Sequence, residues 1–422
     1  MELIIRGGHI VPGGDRPELP RGDILVRDGV IAAVGSGIAT PAGCAVVEAA
    51  GHVVTPGFVD AHRHVWQAPL RGLGADMPMS RYFPEILGTA LHSYTPADAR
   101  LATLLGAVEA LDAGVTTIFD WSNATLTPEH TDAVVDGFGA AGGRAVVAHA
   151  ASPSEDARRL AVTGAARVTG GRVTGALAVL GGEYGDWDEF LAQLRFGRDL
   201  GLVVSMHAGG PIVRRMHDAG LLGPDVQLVH LNRVTAEDAE LLAATGTPVV
   251  VTPTVEAVMG HGANPYGRLV AAGVRPALGV DVVITTAPDL FEPMRDTLRT
   301  QRLSTGSADR PPAGSILAAA TVDAARAVGL ADRIGSIEVG KRADLLLLDG
   351  LSHLTGGGRD LAGAVVSCLT PSNVRTVLVD GEIVKRDGHL VTHDLAALRA
   401  EAAAICSPAR AGRFIVEEIS VG

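Results

Sequence analysis

Apolar and polar positions follow two different patterns along this chain. Over the first 55 or so residues the apolar positions come in short runs broken by glycine: Leu3-Ile4-Ile5, Asp23-Ile24-Leu25-Val26 and Val30-Ile31-Ala32-Ala33-Val34. Arg27-Asp28-Gly29 separates the last two, and an Asp-Gly pair between β-favouring runs predicts a hairpin. The end of the chain repeats the theme, with strand-like runs at 343–349 and 374–384, the second folded about Asp380-Gly381. Two β-rich ends around a different middle predict one small β-sandwich domain built from both termini.

The middle alternates apolar runs of strand length with Ala/Leu/Arg/Glu-rich stretches suited to helices, such as 97–112 and 188–200. The runs are Val59–His62, Val115–Asp120, Ala145–His149, Gly175–Leu180, Leu202–His207, Val226–His230, Pro248–Thr252 and Arg275–Asp281. Strand-helix alternation implies a parallel sheet, and eight units imply a closed barrel of roughly 250 residues. The expected fold class is therefore α/β: a (β/α)8 TIM-type barrel over 57–332. The first sandwich part covers 1–56, and the second, with a C-terminal helix, covers 333–422.

Chemistry-bearing residues fall repeatedly where these strands end: His62, Asp120, His149, His207, His230 and Asp281. The C-terminal strand ends of such barrels form the active-site face. His62-Arg63-His64 adds a second feature. Positions i and i+2 of an extended strand share a face, so both imidazoles can converge on one ion.

The segment Pro56-Gly57-Phe58-Val59-Asp60-Ala61-His62-Arg63-His64 resembles the first-strand motif of the amidohydrolase superfamily. Ala331–Leu345 resembles the segment leading that family's barrel back to its β domain, and Val377-Leu378-Val379-Asp380-Gly381 its last hairpin. The resemblance spans essentially the whole chain. It points to the branch that holds cytosine and S-adenosylhomocysteine deaminases and triazine hydrolases. It implies His62, His64, His207 and Asp281 as metal ligands. Asp281 would also take a proton from the water that the metal activates, and His230 would contact that water or the substrate.

Two-metal members of the family bridge their ions with a carboxylated lysine on the fourth strand. The two lysines here, Lys341 and Lys385, lie outside the expected barrel, which favours a single metal, Zn2+ with Fe2+ as the alternative. One family feature is missing. Deaminating members carry a glutamate three residues after the fifth-strand histidine, and here His207-Ala208-Gly209-Gly210 ends in glycine. Glu256, past the seventh strand, and His261, between glycines at the same rim, are candidates to take over. Trp66, Trp121 and His149, at or just past strand ends, are further candidates for substrate contact.

Composition narrows the picture. A net charge of −12 disfavours nucleic acid and acidic membranes as partners. No apolar run reaches the roughly 20 residues of a membrane span. Cys44, Cys368 and Cys406 are far apart and odd in number, as expected in a reducing compartment. The expectation is a cytoplasmic, homo-oligomeric enzyme acting on a small, cyclic nitrogen compound by deamination or by amide or lactam opening. Two rival classes are a lyase or isomerase using the same metal without net hydrolysis, and a binding protein that has lost catalysis.

Overall fold

The computed structural model describes residues 2–14, 16–150, 171–355 and 360–406. Eight parallel strands follow one another in chain order around a barrel: Phe58–Arg63, Val115–Ser122, Arg144–Ala150, Val173–Val179, Val204–Ala208, Val226–His230, Val249–Val251 and Ala277–Leu278. They coincide with the eight apolar runs of the sequence. The first two strands are buried along their entire length, as expected where side chains fill the barrel on one face and meet helices on the other. The helices begin where their caps dictate. Thr95 and Asp98 form a reciprocal capping box at the start of Pro96–Asp112, and Asp186 caps Trp187–Asp199.

The barrel closes between its first and last strands. The Asp281 main-chain N–H donates to the His62 carbonyl at 2.9 Å, and the His64 N–H donates to the Asp281 carbonyl at 3.1 Å. The buried carboxylate of Asp60 knits the same seam, accepting from the amides of His62 and Val280 and from Arg63 Nε at 2.6 Å. Gly279 lets the last strand come this close. A Cβ there would lie 2.7 Å from the His62 carbonyl oxygen, so the seam that carries two of the site histidines requires glycine.

Both chain ends contribute to one continuous nine-stranded mixed sheet, joined where Val53–Pro56 pairs antiparallel with Leu345–Leu348. Both Asp-Gly turns are present, with Asp28 and Asp380 at positive φ. The sheet has its own apolar core around Ile5, Ile24, Val54, Leu345 and Leu378. Arg144, at the foot of the third barrel strand, ties the two units together through ion pairs to Asp344 at 2.9 Å and Asp380 at 2.6 Å. Burial pushes the Asp380 carboxyl up, but its arginine partners outweigh that and hold it down at about 2. Helix Leu395–Ala402 packs on Pro96–Asp112, with Arg399 Nε donating to Glu109 at 2.9 Å. Among the described residues, no helix is long and apolar enough to cross a membrane.

Candidate active site

The first, fifth and eighth strands bring His62, His64, His207 and Asp281 together at the C-terminal face of the barrel. One potential ligand atom from each lies within 4.8 Å of the others. Asp281 Oδ1 is shared, 3.3 Å from His62 Nε2 and 3.2 Å from His64 Nε2. The rings of His62 and His207 meet edge-on with centroids 4.9 Å apart, and those of His64 and His207 stack at 5.7 Å.

Hydrogen bonding behind His64 fixes which nitrogen faces the cluster. Its Nδ1 is 2.9 Å from the Trp121 carbonyl and 2.8 Å from Asn123 Oδ1. Both of these partners are acceptors, so Nδ1 carries the proton and Nε2 turns its lone pair inward. His62 is fully buried; its Nδ1 has no hydrogen-bond partner among the described residues, and its Nε2 faces the Asp281 carboxylate. An arrangement that leaves such a group unsatisfied is costly in a protein alone. Three imidazole nitrogens and one carboxylate oxygen at this spacing fit a divalent ion of the zinc or iron type.

The electrostatics agree with that fit. Burial holds the His62 imidazole down at about 4 and drives His207 well below its ordinary value, with the neighbouring histidines adding to the effect. Both rings are therefore neutral, as a ligand must be. Burial would raise the Asp281 carboxyl, but contacts from His62 and His64 overcome it and keep the group ionised.

His230 ends the sixth strand beside this cluster, its ring 5.4 Å from that of His207 and its Nε2 3.9 Å from Asp281 Oδ2. Its Nδ1 faces Thr252 Oγ1 at 2.9 Å and Glu256 Oε1 at 3.5 Å. Burial disfavours a charged ring here, yet Glu256 and Asp281 together raise its pKa. His230 and Asp281 both adopt left-handed backbone, at φ 77° and 69°. That region is strained for such residues and is concentrated at functional sites.

The fifth-strand departure from the family pattern is structural as well as chemical. Gly210 has φ 133°, and a Cβ there would lie 2.6 Å from both the carbonyl carbon of Arg233 and the nitrogen of Val234. No side chain fits, glutamate included. Glu183, from the turn after the fourth strand, holds this corner by accepting from the amides of Gly209 at 2.8 Å and Gly210 at 3.4 Å while pairing with Arg233.

The remaining sequence candidates separate. Glu256 is not on a solvated loop: it lies in the first turn of the short helix Pro253–Val258 and is buried against His230. His261 follows it, its ring 5.9 Å from His230 and its Nε2 buried without a partner. Trp121 lies 4.7 Å from the His207 ring with its indole nitrogen unpartnered. His149 is buried at the end of the third strand. Trp66 instead packs into the core edge-on to Tyr94, and its indole N–H is donated to Asn123. His130, in the helix after the second strand, is buried and anchored to Thr127 and to the Tyr94 carbonyl.

Sequence reasoning overlooks Asn123 and Thr252, whose importance comes only from the histidines they touch. It also misses Gln67, in the 3-10 helix Val65–Leu70, whose amide donates to the buried Tyr82 hydroxyl at 2.7 Å. No spacing or motif marks these three.

The amidohydrolase family model matches residues 53–384, a span that contains every residue of the cluster. The chain belongs to the amidohydrolase family. Among its relatives, the 5-methylthioadenosine/S-adenosylhomocysteine deaminase of Halobacterium salinarum is 34% identical, with 93% of this chain and 95% of that protein covered. The 5'-deoxyadenosine deaminase of Methanosarcina mazei is 26% identical, covering 93% and 95%. The fold is shared with a zinc-bound adenosine deaminase from Xanthomonas campestris at TM-score 0.86 and 24% identity, covering 96% and 97%. It is shared as well with a zinc complex of atrazine chlorohydrolase from Arthrobacter aurescens at TM-score 0.81 and 20% identity, covering 96% and 100%. This amidohydrolase is thus a hydrolase of the C–N or related-bond class, with His62, His64, His207 and Asp281 forming a group that could hold a metal ion.

Proposed function

We propose that the chain is a one-metal aminohydrolase, with zinc held by His62, His64, His207 and Asp281, that removes the exocyclic amino group of an adenine-type nucleoside. The observation that carries this reading is the convergence of three imidazoles and one carboxylate at the strand ends. The deaminase relatives, aligned over nearly their whole length, support the substrate class.

When bound, the ion supplies Lewis acidity and a nucleophile drawn from water at neutral pH. The protein's own groups do the rest. Asp281 Oδ2, the carboxylate oxygen facing Thr252 and His230, is placed to take the proton of the attacking water. His230 Nε2 faces the same space and stabilises charge developing on the attacked carbon's substituents. Trp121, beside His207, offers a flat apolar wall and an indole donor to a planar ring, and His261 and His149 complete the rim.

The closed position at Gly210 favours one second reading, hydrolysis of a cyclic amide, in which no ring nitrogen has to be protonated. We place the enzyme in the cytoplasm as a homo-oligomer taking a small-molecule substrate. Its three cysteines, all free, support a reducing compartment.

The test is ammonia release by zinc-loaded protein from adenosine, 5'-deoxyadenosine, 5'-methylthioadenosine and S-adenosylhomocysteine, run beside a panel of lactams and cyclic ureides. Ammonia from a nucleoside, lost in Asp281→Asn, supports deamination. Ring opening of a lactam with no ammonia from any nucleoside replaces it with the second reading.

A further inference from the structure

We infer that Glu256 is the positioning residue for His230, so that the second carboxylate of this site works through the seventh strand rather than directly from the fifth. The inference rests on the reading of His230 as the catalytic histidine that is not a metal ligand.

Three observations carry it. The fifth-strand position three residues after His207 is closed to any side chain by the backbone of Arg233 and Val234. Glu183, the carboxylate that reaches that corner among the described residues, is committed to the Gly209 and Gly210 amides and to Arg233. Glu256 is 1% exposed; among the described residues its Oε1 meets Thr252, through the amide at 3.0 Å and the hydroxyl at 3.4 Å, and His230 Nδ1 at 3.5 Å, while its Oε2 is buried without a partner there. A buried carboxylate satisfied on one side costs stability wherever it serves only packing.

The hydrogen-bond logic sets the direction of the chain. Ionised carboxylates only accept, so the Thr252 hydroxyl, lying between Glu256 Oε1 at 3.4 Å and Asp281 Oδ2 at 3.5 Å, spends its single proton on one of them. Its lone pair is then the acceptor for His230 Nδ1–H at 2.9 Å. Whichever carboxylate takes the hydroxyl proton, Glu256 Oε1 is itself an acceptor 3.5 Å from Nδ1, so Glu256 and Thr252 together hold the Nδ1–H tautomer and leave Nε2, turned toward Asp281, as the ring atom that faces water and substrate. A neutral amide at position 256 fills the same volume, but its oxygen, held by the Thr252 N–H, is a weaker acceptor than a carboxylate, which loosens the hold on Nδ1–H and lets the His230 proton move to Nε2.

The experiment is long-range 15N–1H correlation of 15N-histidine-labelled, zinc-loaded protein, with the His230 signal assigned by its loss in His230→Asn. Recorded at a pH high enough to keep the ring neutral, the wild-type ring is expected to carry its proton on Nδ1. In Glu256→Gln this pattern is expected to give way to Nε2–H or a mixture, with zinc content unchanged, kcat down about 10- to 100-fold and KM within a few-fold. A wild-type ring protonated on Nε2 alone overturns the inference without any variant. An unaltered His230 pattern in folded, zinc-loaded Glu256→Gln overturns it too. A changed pattern in a protein inert toward every nucleoside supports the Glu256 role while removing the deaminase reading.

Discussion

His62 and Asp281 are joined twice, once by the backbone and once through their side chains. The Asp281 amide donates to the His62 carbonyl at 2.9 Å, and Asp281 Oδ1 lies 3.3 Å from His62 Nε2. The contact that closes the barrel therefore also sets the spacing of two metal-ligand candidates. Replacing the carboxylate leaves the backbone contact in place, so Asp281→Asn is expected to fold with a near-normal melting temperature. It is expected to lose turnover by about 10²- to 10⁴-fold, the usual contribution of a general base. Steady-state kinetics beside a thermal melt check both halves.

Asn123 orients His64 from behind by accepting its Nδ1–H, and it accepts the Trp66 indole N–H with the same oxygen. Asn123→Ala is expected to weaken metal affinity about 10- to 100-fold, as loss of an outer hydrogen-bond partner does. Competition with a zinc-binding dye measures this, and unchanged affinity would show that the Trp121 carbonyl suffices on its own.

Gly210 is predicted to tolerate no side chain. Its φ is 133°, and the backbone of Arg233 and Val234 stands 2.6 Å from where a Cβ would project. Gly210→Ala is therefore expected to destabilise the fold by at least about 2 kcal/mol. Gly210→Glu is expected to be worse and to leave deamination no faster. Urea denaturation reads the first; a more active Gly210→Glu enzyme would contradict the account of that corner.

Acid should destabilise the chelator-treated protein through His62. Its folded-state value of about 4 lies below the ordinary 6.5 because burial disfavours the cation. The unfolded chain then takes the proton first. The contribution of the neutral ring is complete above about pH 6.5 and is lost as pH falls from there toward 4, on the order of 3 kcal/mol in all. His207, depressed for the same reason, acts in the same sense. Urea midpoints between pH 7 and pH 4.5 should fall, and a flat profile would count against buried neutral rings.

The barrel is legible in the sequence because each of its eight strands is an apolar run of the right length, and Asp28-Gly29 and Asp380-Gly381 announce their hairpins. The metal group is legible because its members end strands, where alternation dictates the face on which they emerge. Less visible are the contacts that depend on three-dimensional approach. The burial of Glu256 is hidden because it comes from its short helix packing on the distant helix Phe291–Thr305 and from its own contact with His230, which no local pattern encodes. Trp66 reads as a substrate-contact candidate from its place after His64, but the 3-10 helix Val65–Leu70 turns it into the core. The missing glutamate is plain in the sequence, while its physical reason, the backbone of Arg233 behind Gly210, is not.

The most direct test of the central claim is turnover of an adenine-type nucleoside by zinc-loaded enzyme in water enriched in 18O, with the product weighed by mass spectrometry. A metal-dependent aminohydrolase predicts one ammonia released and one solvent oxygen gained per product molecule. Turnover without solvent oxygen, or no turnover by protein carrying one zinc per chain, would contradict it.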